Sequence, residues 1–205
     1  MSSSGRHERA IADYEQSIIL DPNNAAVHYD RGLSYSRNRD YDRAIADYSR
    51  AIELDSKYAR AYIRGYARFY KGEFATAAAD LQRLIELQPD DPYVPYVMLF
   101  VFLACARSGE DATSELKTNV GLLKTQKWPY AVIELYLGAR SPDATLAVVA
   151  MPNEQCDAQF YIGQWHLLRS NRPEASMALQ TAADICPKRS AEYSGAIAEL
   201  ERLKP

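Results

Sequence analysis

Residues 10–14 read AIADY (Ala10, Ile11, Ala12, Asp13, Tyr14), and the same letters return 34 residues later as Ala44-Ile45-Ala46-Asp47-Tyr48. Working outward, "HERAIADYEQSIILDPNN" (7–24) lies over "YDRAIADYSRAIELDSKY" (41–58). A third copy, "FATAAADLQRLIELQPDD" (74–91), follows at a spacing of 33. Before the second and third copies stand "HYDRGLSYSRNRD" (28–40) and "AYIRGYARFYKGE" (61–73), which share Arg-Gly followed by aromatics. A fixed period of this length marks a repeat array, in which each unit is a supersecondary hairpin that buries its apolar face against its neighbours.

The carriers of the period are Gly32, Tyr35, Tyr41, Ala44, Tyr48 and Ala51, closed by Asp55-Ser56. Their counterparts are Gly65, Phe74, Ala77, Leu81 and Leu84, closed by Gln88-Pro89. This pattern resembles the tetratricopeptide repeat. The resemblance implies an all-α right-handed superhelix of antiparallel helix hairpins. Small residues would let the two backbones approach, and Tyr35 and Tyr48 would fill the space between hairpins. The stretch "CDAQFYIGQWHLLRSNRPEASMALQTAADICP" (156–187) has Gly163, Ala175, Ala182 and Pro187 at offsets of 12, 19 and 24 from its glycine, the offsets that separate Gly32, Ala44, Ala51 and Ser56. It reads as a further repeat.

The expected organisation has three parts. Residues 1–92 hold the second helix of a partial repeat and two full repeats, 93–153 hold degenerate hairpins, and 154–205 hold the further repeat with a terminal capping helix at 190–204. In the middle, Asp91-Pro92 starts a helix that runs through Arg107 to a Ser108-Gly109 stop. Helices follow at about 111–124, 128–138 and 141–150, the last with Ser141 as cap. "YVPYVMLFVFLACA" (93–106) falls about six residues short of the ~20 that span a bilayer and reads as a helix buried on all sides. No strand is expected anywhere.

The C-terminal half narrows the resemblance. Trp128, then "VIELYLG" (132–138), a short Ser-Pro-led helix, "QFYIGQWHLL" (159–168) and an Ala-rich second helix are similar to the NlpI-like bacterial lipoproteins. Those are envelope proteins with tetratricopeptide repeats that act as adaptors for cell-wall hydrolases and a periplasmic protease. The resemblance therefore implies a periplasmic or cell-envelope location, the alternative being the cytoplasm. The opening "MSSSGRHERA" carries neither a signal peptide nor a lipid-attachment cysteine. Residues 7–20 read as the second helix of a repeat whose first helix is absent. The chain is thus expected to be a piece of a longer protein whose missing segment carries that helix and an export signal, and membrane attachment would come only through such an anchor.

The formal charge of −3 and the pI near 5.7 argue against a general nucleic-acid binder, which would carry a strongly basic balance. Fifteen tyrosines against five phenylalanines point to half-buried rings with a wet edge, as at interfaces. Cys105 sits in the apolar 93–106 helix as a buried thiol. Cys156 begins the first helix of its repeat and Cys186 ends the second, so an antiparallel hairpin brings them side by side and a disulfide is the favoured reading. The bland reading is two small apolar residues at a helix junction. A disulfide would place the protein outside the cytoplasm. No cysteine pair has metal-ligand spacing, and His7, His28 and His166 form no cluster with them. No metal or cofactor is expected.

Catalytic motifs such as G-x-S-x-G, H-E-x-x-H and the P-loop are missing, so the chain is read as a non-enzyme. Asp90-Asp91 and Glu199-Glu201 are read as a solvated loop and an exposed face. His28 and His166 are read as structural or groove-lining.

In the tetratricopeptide family the first helices line the concave face, and ligands meet them there. The matching positions are Tyr29, Leu33, Ser36 and Arg37 in one repeat and Tyr62, Tyr66, Phe69 and Tyr70 in the next. Arg60, Arg64 and Arg68 fall at i, i+4 and i+8, one stripe along the same helix. Aromatic anchors beside guanidinium groups suit a protein or peptide segment with acidic or carboxylate groups. The competing reading makes the rings inter-hairpin core and pairs the Arg stripe with acids of the neighbouring helix. The Lys and Asn of chaperone-tail carboxylate clamps are replaced by Tyr29 and Leu33, which excludes that ligand. The expected function is a non-enzymatic adaptor. The alternatives are a homodimer whose groove another copy fills and an enzyme without a recognisable motif.

Overall fold

The structure, a computed structural model, describes residues 3–56 and 62–204. All regular structure among these residues is helical. The helices are α1 (Ser3–Leu20), α2 (Ala25–Arg37), α3 (Tyr41–Leu54), α4 (Arg64–Lys71), α5 (Phe74–Leu87), α6 (Val94–Ser108), α7 (Ala112–Val120), α8 (Tyr130–Tyr136), α9 (Pro142–Leu146), α10 (Pro152–Leu167), α11 (Arg172–Ile185) and α12 (Ala191–Leu203). The all-α fold of helix hairpins expected from the repeats is the fold observed. The chain divides into two compact units, Met1–Val97 and Met98–Pro205, with the boundary inside α6.

In the first unit α2 pairs with α3, α4 pairs with α5, and α1 packs on α2. Local chemistry sets the helix starts. Asn24 accepts from the backbone N–H groups of Ala26 and Val27, and Asp40 accepts from that of Arg43. Each removes an orphan donor from the first turn.

In the second unit α10 pairs with α11, and α12 closes over both, as the capping helix was expected to do. Ser190 starts α12 by accepting from the Tyr193 N–H. The apolar helix is buried all round: every residue from Val97 to Cys105 is at most 7% exposed. The helices between it and α10 are shorter than the sequence suggested. α7 ends at Val120, and α9 is a single turn behind its Ser141 cap. α6 starts at Val94 because Asp91 accepts from Tyr93 N–H in a turn before the helix (2.8 Å).

One helix ending recurs across the molecule. α2, α4, α6, α8 and α10 each end at a residue in the left-handed region: Arg39 (φ 61°), Gly72 (90°), Gly109 (84°), Gly138 (77°) and Ser170 (57°). Each is followed by a backbone bond back across the last turn: Asp40 N–H to Tyr35 O, Glu73 to Arg68, Glu110 to Cys105, Ala139 to Glu134 and Asn171 to His166, all 2.8–3.0 Å. This is the six-to-one closure that satisfies orphan carbonyls and turns the chain back. The middle of the chain therefore uses the same hairpin turn as the repeats, although its side chains do not follow the period.

Candidate interaction surface of the repeat hairpins

Each repeat hairpin is built around its glycine. A Cβ on Gly65 would stand 2.5 Å from Leu81 Cγ and 2.9 Å from the Ala77 carbonyl oxygen, and one on Gly163 would stand 2.6 Å from Leu179 Cγ. The backbone carbonyl cannot give way as a side-chain end could. Gly65→Ala is expected to destabilise the first unit by about 1–3 kcal/mol, the usual cost of overpacking. A urea titration followed by circular dichroism checks this, and an unchanged midpoint would refute the close approach.

Beside Gly32 and beside Gly65 sits an ion pair inside the hairpin. Arg31 donates through Nε and Nη2 to both oxygens of Asp47 (2.8 and 2.7 Å). Arg64 donates to both oxygens of Asp80 (2.7 Å each) and through Nη1 to Ser49 Oγ (2.8 Å). Arg68 adds a third bond to Asp80 at 2.9 Å. Asp47 and Asp80 are each 5% exposed. The Asp47 partner holds the Arg31 guanidinium above its usual range. At the corresponding positions of the α10–α11 hairpin stand Ile162 and Ala178, which pack with Leu135 in an apolar cluster.

These contacts correct the groove read from the sequence. Arg64 and Arg68 are turned to the facing helix, where they neutralise the buried Asp80 carboxylate. Phe69 is fully buried and Tyr70 nearly so, with their rings in contact with each other and with Phe74 and Tyr41. They belong to the core. Arg60 lies outside the described residues. Tyr62 and Tyr66 are half-buried, and the Tyr62 hydroxyl donates to the Ser56 carbonyl (3.2 Å). Tyr29 and Leu33 are half-buried, Tyr29 leaning on Tyr48 with ring centroids 5.9 Å apart. Arg37 is exposed. Among the described residues, the first helices thus keep the aromatic and apolar Tyr29, Leu33, Tyr62 and Tyr66 partly accessible, with Arg37 exposed and Lys71 exposed but paired with Asp42 and Glu73. The internal pairing left a signal in the sequence: Arg-Gly and Ala-Asp recur in both repeats with the Arg and the Asp 16 residues apart.

His28 is buried, with Nε2 3.0 Å from the Pro22 carbonyl and Nδ1 3.7 Å from Asp47, which gives it a structural place at the base of α2. His166 lies against Asn171 at the end of α10.

The second unit contains two buried acidic centres. Glu199, read from the sequence as exposed, is 2% exposed and binds Arg107 (3.0 Å) and Arg202 (2.8 Å). Arg107 also donates to Gln164 Oε1 at 2.7 Å, so the network ties α6, α10 and α12 together. The sequence pattern missed this because Arg107 lies 92 residues from Glu199. The second centre is the Asp157–Glu192 pair beside Cys156. Trp128 Nε1 donates to Asp157 (3.0 Å), and Cys156 is joined to Cys186 in a disulfide. A disulfide sulfur is not a metal ligand in the usual thiolate sense, so these three side chains do not constitute a metal centre.

Burial, reinforced by the Asp157 charge, raises the Glu192 carboxyl from 4.5 to about 7. In the unfolded chain this group ionises near its ordinary value. Its protonated form therefore contributes stability that is fully present below pH 4.5 and is lost as the pH rises through about 7. The loss amounts to roughly 3 kcal/mol. Glu192→Gln is expected to flatten the fall in stability between about pH 4.5 and 7. Parallel profiles for the two proteins by urea unfolding would overturn the assignment.

Comparison with known proteins agrees with the hairpin geometry. Residues 3–38 match the TPR repeat pattern, and residues 25–58 and 57–91 match the tetratricopeptide repeat pattern. The chain is 40% identical to serine/threonine-protein phosphatase 5 of Rattus norvegicus over 86 residues, 42% of this chain and 17% of that protein. The Homo sapiens protein gives the same figures. The match thus spans under one fifth of the length of these curated relatives. The solved structure of YrrB, a TPR protein with an unusual peptide-binding site, superposes with a TM-score of 0.48 at 18% identity, covering 92% of this chain and 97% of that one.

Proposed function

From residues 3–91 being a run of tetratricopeptide repeats, we infer that this chain is a non-catalytic adaptor that holds a protein segment on its first-helix surface. The observation that carries the reading is how the first helices divide their side chains. Arg31, Arg64 and Arg68 are spent inside the hairpins. Leu33, Tyr62 and Tyr66 keep part of their surface in water, with Arg37 beside them in sequence register. Half-buried tyrosines supply rigid contact area at little entropic cost. The partner is a segment with apolar or aromatic anchors, and an acidic group on it would meet Arg37. The Cys156–Cys186 disulfide supports an oxidising compartment. That suits a periplasmic or envelope scaffold for hydrolases or proteases like the NlpI-like proteins.

The test pans a random peptide library displayed on phage against the native chain. Peptides so selected are then measured against Tyr66→Ala combined with Arg37→Ala. The expected result is binding weakened at least about tenfold with the circular dichroism spectrum unchanged. Equal affinity for both proteins removes this surface. A dimer by light scattering that dissociates in the same double variant assigns the surface to self-association instead.

A further inference from the structure

Three buried acids of this chain are matched by guanidinium groups. Asp47 takes Arg31, Asp80 takes Arg64 and Arg68, and Glu199 takes Arg107 and Arg202. Glu192 departs from that pattern. It is 8% exposed, and among the described residues its charged neighbour is another buried carboxylate, Asp157. The Ser190 side chain bonds to Glu192 and Trp128 Nε1 donates to Asp157, but neither of these donors carries charge. A carboxylate held out of water beside a like charge is a place for a cation.

The groups alongside decide which cation. Cys156 Sγ, an Asp157 carboxylate oxygen and a Glu192 carboxylate oxygen all lie within 4.8 Å of one another. Cys186 Sγ is bonded to Cys156 Sγ, and their Cα atoms are 4.9 Å apart. α10 supplies Cys156 and Asp157, the end of α11 supplies Cys186, and the first turn of α12 supplies Glu192. While the disulfide is intact its sulfurs are not ligands. After reduction both thiols stay at this corner, because α10, α11 and α12 pack on one another and hold their backbones. Two thiolates and two carboxylates are four donors of the kind that close around zinc, and the sulfurs favour it over magnesium or calcium. A tetrahedral zinc shell sets its donors about 3.3–3.8 Å apart, so the side chains need to close in by about an ångström.

We propose that reduction of the Cys156–Cys186 bond turns this corner into a structural zinc site, with Cys156, Cys186, Asp157 and Glu192 as its four ligands. A dithiol reductant gives two electrons and two protons to the sulfurs and leaves as its own disulfide. Zinc then displaces the two thiol protons, and any proton on Glu192, into solvent. The ion joins the same helix ends that the disulfide joined. Motif reading does not find the site, because 30 residues separate the cysteines and the carboxylates come from two different helices. It lies in the second unit and does not depend on the surface proposed for Tyr66 and Arg37.

The probes are cobalt(II) and then zinc, added without oxygen to the intact chain reduced by a phosphine, which offers no competing thiol. Reduced native protein should bind one cobalt with a thiolate-to-metal charge-transfer band, and one equivalent of zinc should bleach it. Oxidised protein, and protein with Cys156→Ala and Cys186→Ala, should give no band, while Cys105→Ala should behave like the native chain. Asp157→Asn and Glu192→Gln should each weaken zinc at least about tenfold in competition with a chromophoric chelator. Zinc should also raise the urea midpoint of the reduced second unit, and restore its helical circular dichroism where reduction alone has unfolded it. No band, a band that persists in the oxidised protein, or equal zinc affinity across both carboxylate variants overturns the proposal. So does a reduced protein whose midpoint and helical signal zinc fails to raise, since the ion then has no preference for the folded site.

Discussion

Asp80→Ala is expected to cost the first unit about 3–5 kcal/mol, the scale for breaking a buried ion pair by removing one partner. The size follows from what is left behind. Arg64 and Arg68 both point at Asp80, their side chains are 14% and 20% exposed, and neither guanidinium can lose its proton to escape burial. The molecule also contains the control. In the α10–α11 hairpin the corresponding positions are Ile162 and Ala178, and the hairpin closes without charge. Arg31→Ile combined with Asp47→Ala copies that solution into the α2–α3 hairpin. It should recover most of the loss caused by Asp47→Ala alone, because apolar replacement of both partners is often neutral. Urea unfolding of the single and double variants decides. If Asp80→Ala unfolds with the native midpoint, the guanidinium groups are not held as described.

Replacing Cys156 and Cys186 together by Ala is the second change of large effect. The two residues are 30 apart in sequence, and closing a loop of that length is worth about 3–4 kcal/mol on the chain-entropy model. The expected outcome is a second unit that unfolds at markedly lower denaturant while the first unit keeps its midpoint. Thiol counting gives an independent check. Burial pushes the Cys105 thiol up to about 12, so the native protein should show no reactive thiol. Unreduced denatured protein should show one, and reduced denatured protein three. Three thiols before reduction would refute the cross-link.

The hairpins were legible because their signals are local and periodic. Gly32, Gly65 and Gly163 mark close approaches, and each contacts a residue 16 positions on in sequence. The apolar run of α6 announced a helix buried on every side for the same reason: nine consecutive side chains admit no solvent face. The surface was less legible. Arg64, Arg68, Tyr66 and Tyr70 all lie on one short helix, and sequence spacing places them on faces without saying what opposes each face. The structure turns Arg64, Arg68 and Tyr70 inward and leaves Tyr66 partly out. Glu199 was misread for a related cause. Its partner Arg107 is far away in the chain, so nothing near Glu199 hinted that a carboxylate there would be buried.

The two ways of closing a hairpin differ in what they permit. A bidentate Arg–Asp pair has one acceptable alignment, and sliding one helix by a residue would strand two charges. It acts as an index pin for the first unit. Ile162 against Ala178 has no such pin, since apolar contacts tolerate small slips. There the Cys156–Cys186 bond fixes the helix ends covalently. Alignment is thus held by ionic geometry in one half of the chain and by a bond that a reductant can cut in the other. A reductant should therefore loosen the second unit and leave the first aligned, since salt screens its buried pairs little.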